Sequence, residues 1–536
     1  MKRLPLILGL SAALTLVGCT TADSSNENGI VQIESGLLQG STNNGIYTYF
    51  GVPYAEAHER FVPADKVTPW SGIRNATKYG SISLQSSLTG FPIPEGKQDN
   101  NAQNLNIWTP GIDSKKRAVM VWLHGGGFSS GSAQEVPAYN GENLSHKGDV
   151  VVVSVNHRLN VMGHLDLSAY GEKYKYSANV GVLDIVDSLK WIRENIASFG
   201  GDPDNVTVFG ESGGGAKVLT LMSTPYAKGL FSKGIVQSGA TESMGVNFTT
   251  LAASQRVGEL TLKNLGISQD NVDAIQSVPY DKLVEEAMKA QVETAGEFGL
   301  FGALSGKVSM DWEPVVDGDF LPTNPVTQDS FAQAGKDIPL LIGSNLNEWT
   351  SMNLVMGPDK GKQFSDAEIE SRLQKVYGDK KDDVVREFLK AFPAKAKQDA
   401  LYFDTFIRLP MLKIMSHKAD QQGAPVYGYV YTYNSPLAIH TAEIPFVFNN
   451  AQAQPPIAIS NSRTETEQHS ANVMADTMSS AWISFAKTDK PAANSIPDWE
   501  AYTRDNGATM ILDLESSLVF GHDKGLMKIL APDYKW

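Results

Sequence analysis

Gly210-Glu211-Ser212-Gly213-Gly214 sets a serine between glycines, directly after an apolar, β-branched run at 206–209 and directly before a segment of helical character. A serine hydroxyl is a weak nucleophile until a neighbouring base takes its proton. A chain can present it by placing it in a sharp strand-to-helix turn, where side chains on the flanking residues would clash and glycine removes the conflict. The helix that follows aims its free N–H groups and the positive end of its dipole at developing negative charge. Ser212 is therefore the candidate nucleophile. A structural serine in a glycine-rich turn is the blander reading, and the strand and helix on either side argue against it. A second glycine run, His124-Gly125-Gly126-Gly127-Phe128, follows the apolar stretch 118–123. Without side chains its backbone N–H groups can approach a substrate oxygen closely. A phosphate-binding loop would need GK[ST] or G-x-G-x-x-G, and neither is present. His124 reads as a brace for this loop rather than as a base.

A nucleophile of this kind needs a histidine base and an acid to orient it. With a G-x-S-x-G elbow the chain order is serine, acid, histidine. Of the later histidines, His417 falls in a helical stretch, His469 in a polar, charged one, and His522 near the C-terminus after the last expected strand. His440 falls in a loop beyond the expected strand 426–433, and loops past strand ends are where such chemistry collects. His440 is the candidate general base. The acid should follow an earlier strand. After 339–342 comes Gly343-Ser344-Asn345-Leu346-Asn347-Glu348, which makes Glu348 the first candidate, with Asp317 and Asp404 as alternatives.

These residues need a scaffold that gathers strand ends. Runs at 30–34, 47–50, 105–108, 118–123, 150–155, 206–209, 235–237, 339–342 and 426–433 read as strands. The 150–155 run reads as a buried strand, and its β-branched residues suit a sheet covered on both faces. Between 179 and 199, Val182, Ile185, Val186, Leu189, Ile192 and Ile196 recur at three- and four-residue spacing, one apolar helical stripe. A helical insertion is expected at 249–291. Strands alternating with helices predict an α/β class with a mainly parallel sheet covered on both faces.

With these motifs in hand the chain resembles the type-B carboxylesterases, which have the α/β-hydrolase fold and include the cholinesterases. The segment 199–214 matches that family's serine signature, 104–110 resembles its second signature, and 440–448 resembles its histidine segment. The resemblance implies Ser212, Glu348 and His440 as the catalytic triad. It implies Gly126, Gly127 and Gly213 as oxyanion donors, a small-molecule ester as substrate, and no metal or organic cofactor. There are departures. Gly213 stands where alanine is usual, Ala102 where a disulfide cysteine is usual, and Asn347 where aspartate often precedes the acid. The segment 81–100 lacks the tryptophan with which cholinesterases hold choline, so a choline ester is not the expected substrate. Some relatives are inactive adhesion modules; those have typically lost a triad member, and here all three are present.

The 536 residues carry a net charge of −14, which repels phosphate backbones and argues against a nucleic-acid partner. Lys2 and Arg3 precede an apolar run at 4–17, too short for a spanning helix, which needs ~20 residues. Leu16-Val17-Gly18-Cys19 resembles a bacterial lipobox, and Cys19 is the only cysteine. The expected organisation is a lipoprotein signal peptide (1–18), a polar tether (19–28) and one catalytic domain (29–536). Lipid on Cys19 would anchor an exported protein to the cell envelope. Thr20, in place of aspartate, resembles the default for outer-membrane sorting.

Overall fold

The computed structural model describes residues 29–87, 93–298, 312–327, 329–457 and 463–536. The expected leader and tether, Cys19 included, lie outside these residues, as does part of the 81–100 segment.

Eleven strands make one sheet. They are β1 (Ser41–Asn43), β2 (Ile46–Pro53), β3 (Asn104–Thr109), β4 (Arg117–Leu123), β5 (Val151–Val155), β6 (Gly201–Glu211), β7 (Lys233–Gln237), β8 (Leu340–Asn345), β9 (Val426–Tyr431), β10 (Ala508–Leu512) and β11 (Ser517–Phe520). Their spatial order is β1-β2-β3-β5-β4-β6-β7-β8-β9-β10-β11. From β5 across to β10 every neighbouring pair is parallel, and the pairs at both edges are antiparallel. The expected α/β-hydrolase architecture is therefore present, with antiparallel margins added to the parallel centre. Every residue of β5 is buried, Ser154 included, as suits its valine-rich run.

The expected strand near residue 30 exists as Ile30–Ile33, but it pairs with Gly36–Gln39 in a small separate sheet. The expected 426–433 strand stops at Tyr431. The helical stripe forms α1 (Val180–Asn195) and continues as a 3-10 turn, Ile196–Phe199. All six stripe residues are buried, each stabilising the fold by roughly 1.5–3 kcal/mol. Helix α2 (Gly213–Leu221) follows β6. The 249–291 insertion forms α3 (Leu251–Asn264) and α4 (Tyr280–Phe298). Their Val257, Leu260, Leu283 and Ala287 share a second apolar core with Val161 and Leu165. Helix α5 (Arg408–Asp420) precedes β9. Helix α6 (Glu465–Thr488) starts at a Thr464–Glu467 capping box and sends the indole N–H of Trp482 to Gln237 Oε1 at 3.1 Å. Among the described residues no helix is long and apolar enough to cross a membrane.

The parallel register has a direct consequence for chemistry. β4, β6, β7, β8 and β9 are consecutive in the sheet. Leu123 pairs with Gly210, Glu211 with Gln237, Gln237 with Gly343, and Asn345 with Tyr431. The carboxyl ends of five strands thus come out along one edge, where open α/β sheets bind ligands.

Candidate active site

β6 ends at Glu211 and α2 begins at Gly213, so Ser212 alone makes the turn, with φ 56° and ψ −126°. That is a strained position for a residue with a Cβ. It is held because Ser212 N–H donates to Gln237 O at 2.8 Å while its carbonyl accepts from Ala216 N at 3.1 Å. The turn is also closed by contact between backbones. A Cβ on Gly210 would stand 2.5 Å from Gly214 C and 2.6 Å from Leu123 O, so no larger residue fits.

The loop leaving β4 lies against this elbow. Gly126 and Gly127 have φ of 81° and 61°. The Gly126 carbonyl accepts from Ser129 N and Ser130 N, at 3.1 and 3.0 Å, and Gly131 N–H donates to Gln85 Oε1 at 2.8 Å. Among the described residues, the N–H groups of Gly126 and Gly127 have no acceptor of their own. The Gly127 backbone lies directly against Gly213, where the helix begins. His124 is buried, its Nδ1 lies 2.9 Å from Gly125 O, and its ring stacks on His157. Burial and the Lys217 ammonium hold it well below the usual imidazole range. It is part of the loop's support, away from His440.

Glu348 and His440 come together from loops after β8 and β9. His440 Nδ1 lies 2.7 Å from Glu348 Oε2. The other carboxylate oxygen of Glu348 accepts from Ser238 Oγ and from Asn345 N–H, both at 2.7 Å. The two loops are also tied through their backbones, His440 N to Glu348 O at 3.1 Å and Asn347 N to Ala438 O at 3.0 Å. Asn347 uses both ends of its amide: Oδ1 accepts from Ala438 N and Nδ2 donates to Tyr402 O. An aspartate could not make the second bond, which gives this departure from the family pattern a physical reason. Glu348 is fully buried and sits at φ 36°.

Sequence reasoning missed several groups around the imidazole. Glu211 Oε1 lies 3.3 Å from His440 Nε2, without the alignment of a hydrogen bond. Glu443 accepts from Gln237 Nε2 at 3.0 Å and Asn345 Nδ2 at 2.7 Å. Burial works against the charged form of His440, but Glu211, Glu348 and Glu443 together push its pKa up to about 9. Burial pushes the Glu211 carboxyl well above its usual range, opposed by His440 and reinforced by Glu443 and Glu348. These facing groups therefore compete for a proton. Trp349 covers the imidazole with ring centroids 4.4 Å apart, and its indole stays 43% exposed. Glu211 was within the serine motif but unread; Ser238, Gln237 and Glu443 carry no local signal beyond their places after β7, within it, and after His440.

The other candidates have structural partners. Asp317 accepts from Asn179 Nδ2 and from two backbone N–H groups of its own turn. Asp404 caps the start of α5 through Ile407 N and Arg408 N, and burial raises its carboxyl to about 7. His417 lies on α5, His469 is exposed on α6, and His522 is buried beside Asp523. Among the described residues no group of three His, Cys, Asp or Glu side chains is arranged to hold a metal ion.

Comparison with known proteins places this geometry in context. The family model described as "Carboxylesterase family" matches residues 27–526. A para-nitrobenzyl esterase of Bacillus subtilis (strain 168) is 34% identical over 506 residues, covering 91% of this chain and 96% of the relative. A solved esterase from anaerobic Clostridium hathewayi, described as able to hydrolyse aliphatic aromatic polyesters, superposes with a TM-score of 0.82 at 34% identity, over 94% of this chain and 98% of its own. A solved carboxylesterase of Geobacillus stearothermophilus gives 0.72 at 32% identity, over 94% and 99%.

Proposed function

The chain belongs to the carboxylesterase family, and from that premise we propose that it hydrolyses carboxylic esters through Ser212, His440 and Glu348 by way of an acyl-enzyme. Ser212 Oγ attacks the ester carbonyl while His440 Nε2 takes its proton. Glu348 holds the Nδ1–H tautomer and stabilises the imidazolium. The N–H groups of Gly126, Gly127 and Gly213 receive the oxyanion, and each such donor is typically worth ~3 kcal/mol. The imidazolium then protonates the departing alcohol. Water, activated by the same Nε2, attacks the acyl group and frees the acid.

The single observation that carries this reading is the 2.7 Å contact between His440 Nδ1 and a Glu348 carboxylate fixed by two further donors. A fluorophosphonate probe followed by peptide mass spectrometry tests it. Label is expected on Ser212 and absent from Ser212→Ala. A folded parent protein that takes no label, or takes it elsewhere, would reject the assignment and favour an inert binding module.

The para-nitrobenzyl esterase and the esterase that hydrolyses aliphatic aromatic polyesters both carry names that point to substrates with an aromatic ring. The exposed indole of Trp349 beside His440 suits such a ring, so we infer small esters with an aromatic acyl or alcohol part as substrates. Specificity constants across a panel varied in ring and chain length check this. We also infer export and lipid attachment at Cys19, on the strength of the leader and the lone cysteine. Metabolic labelling with palmitate should mark the parent protein and leave Cys19→Ala unmarked; equal labelling of both would refute the anchor.

A further inference from the structure

Lys217 lies on α2 four residues beyond Gly213 and is fully buried. Side chains on a helix lean back toward its N-terminus, so the lysine reaches past the first turn to the oxyanion loop. There its Nζ donates to the carbonyl of His124 at 2.9 Å. That carbonyl opens the Gly125–Gly127 loop, whose backbone lies against Ser212 and Gly213. A buried ammonium is costly unless it is held by partners, and a methionine or leucine would fill the same space at no such cost.

The surroundings show where the charge sits. The Phe128 ring lies 5.7 Å from Nζ. His124 and His157 face it and are held well below the usual imidazole range by burial and by the lysine itself, and His164 is lowered to about 4 by burial. Three imidazoles are thus kept neutral around one amine. Burial lowers Lys217 to about 7, and Glu135 is the acid that holds it up. The loop also has little freedom on its other side, because the Gly127 backbone packs directly on the start of α2. A tether on the His124 carbonyl therefore sets the plane of the His124–Gly125 peptide, and the positions of the next two N–H groups follow from it.

We propose that Lys217 is a positioning residue of the oxyanion hole, clamping the Gly125–Gly127 loop to the N-terminus of α2 through the His124 carbonyl. This rests on the reading of Ser212 as the nucleophile. The donors that the clamp positions act chiefly when the substrate oxygen carries negative charge, so its loss should appear in the transition state and not in substrate binding.

The test is Lys217→Met, which keeps an unbranched apolar stem as far as the Cε position and removes the donor. A folded Met variant should lose about 10- to 100-fold in kcat with KM changed by less than about twofold. Its affinity for a trifluoromethyl ketone, which adds Ser212 to form a bound oxyanion, should fall by the same factor. A folded variant with kcat within about twofold of the parent overturns the proposal, as does a fall in kcat with unchanged ketone affinity. If the Met variant does not fold, Lys217→Gln carries the same comparison, because its side chain is one atom shorter than lysine's and withdraws the donor from the His124 carbonyl. Fluorophosphonate labelling of the parent separates the two readings. No label on Ser212 defeats the proposed function, whereas a labelled parent with indifferent variants defeats only the role of Lys217.

Discussion

Gly213→Ala adds one methyl group where the family usually carries it, and the structure says it should do harm here. A Cβ on Gly213 would stand 2.5 Å from the Gly127 carbonyl carbon, and closer still to the Gly127 Cα and O. Carbon atoms pack at about 3.5 Å or more, so the loop must retreat by roughly 1 Å. Oxyanion donors act over a window of about 2.7–3.1 Å, and a displacement of that size costs about 100-fold in rate. The expected result is therefore a fall of about 100-fold in kcat, near 2.7 kcal/mol, with KM little changed, because the ground-state carbonyl uses the hole weakly. Folding should not suffer in proportion. Gly213 lies outside the left-handed region, and alanine favours a helix over glycine by up to about 1 kcal/mol. Steady-state kinetics on a chromogenic ester, with a thermal melt as control, measure both. A folded Gly213→Ala enzyme with kcat within about threefold of the parent would refute the reasoning, since the loop would then be shown to yield without cost to the hole.

Glu348→Gln keeps the shape of the acid but removes its charge, and kcat should fall by roughly 10⁴-fold in a stopped-flow or steady-state assay. The pH profile follows from the carboxylates around His440. Its raised pKa, about 9, puts the acid limb of kcat/KM above the ordinary imidazole range, and Glu211→Gln should move that limb to lower pH. The sign for stability is the same: the imidazolium stabilises the fold below its unfolded pKa, and that contribution is lost as pH rises through about 9. Denaturant melts across this range read it directly. Away from the site, Arg158 and Asp184 form a buried pair at 2.7 Å, with Asp184 also accepting from Gln103 and from Arg158 N–H. Asp184→Ala should cost about 3–5 kcal/mol in urea unfolding, because it leaves a buried guanidinium unpaired.

What could be read from the sequence is what local pattern encodes. β-branched runs marked the buried strands, because a strand covered on both faces is filled mainly by apolar side chains. Three- and four-residue spacing marked α1, and glycines marked the elbow and the loop because only they allow backbones to touch there. His440 and Glu348 were legible as loop residues beyond strand ends, though the sequence left Asp317 and Asp404 open beside Glu348. The rest depends on pairing between distant segments. The antiparallel margins and the separate Ile30–Ile33 sheet are choices of partner that no local period specifies. Ser238, Gln237 and Glu443 are ordinary polar residues in sequence. The register of β6, β7, β8 and β9 turns them into the support of one imidazole. Glu211 has no reading of its own within the serine motif, and only the loop after β9 brings His440 to within 3.3 Å of it. The sequence by itself determined which residues could do chemistry, since residue type and local spacing carry that information. The tertiary structure alone decided which of them come within contact of one another, because that depends on distances of a few ångströms between segments far apart in the chain.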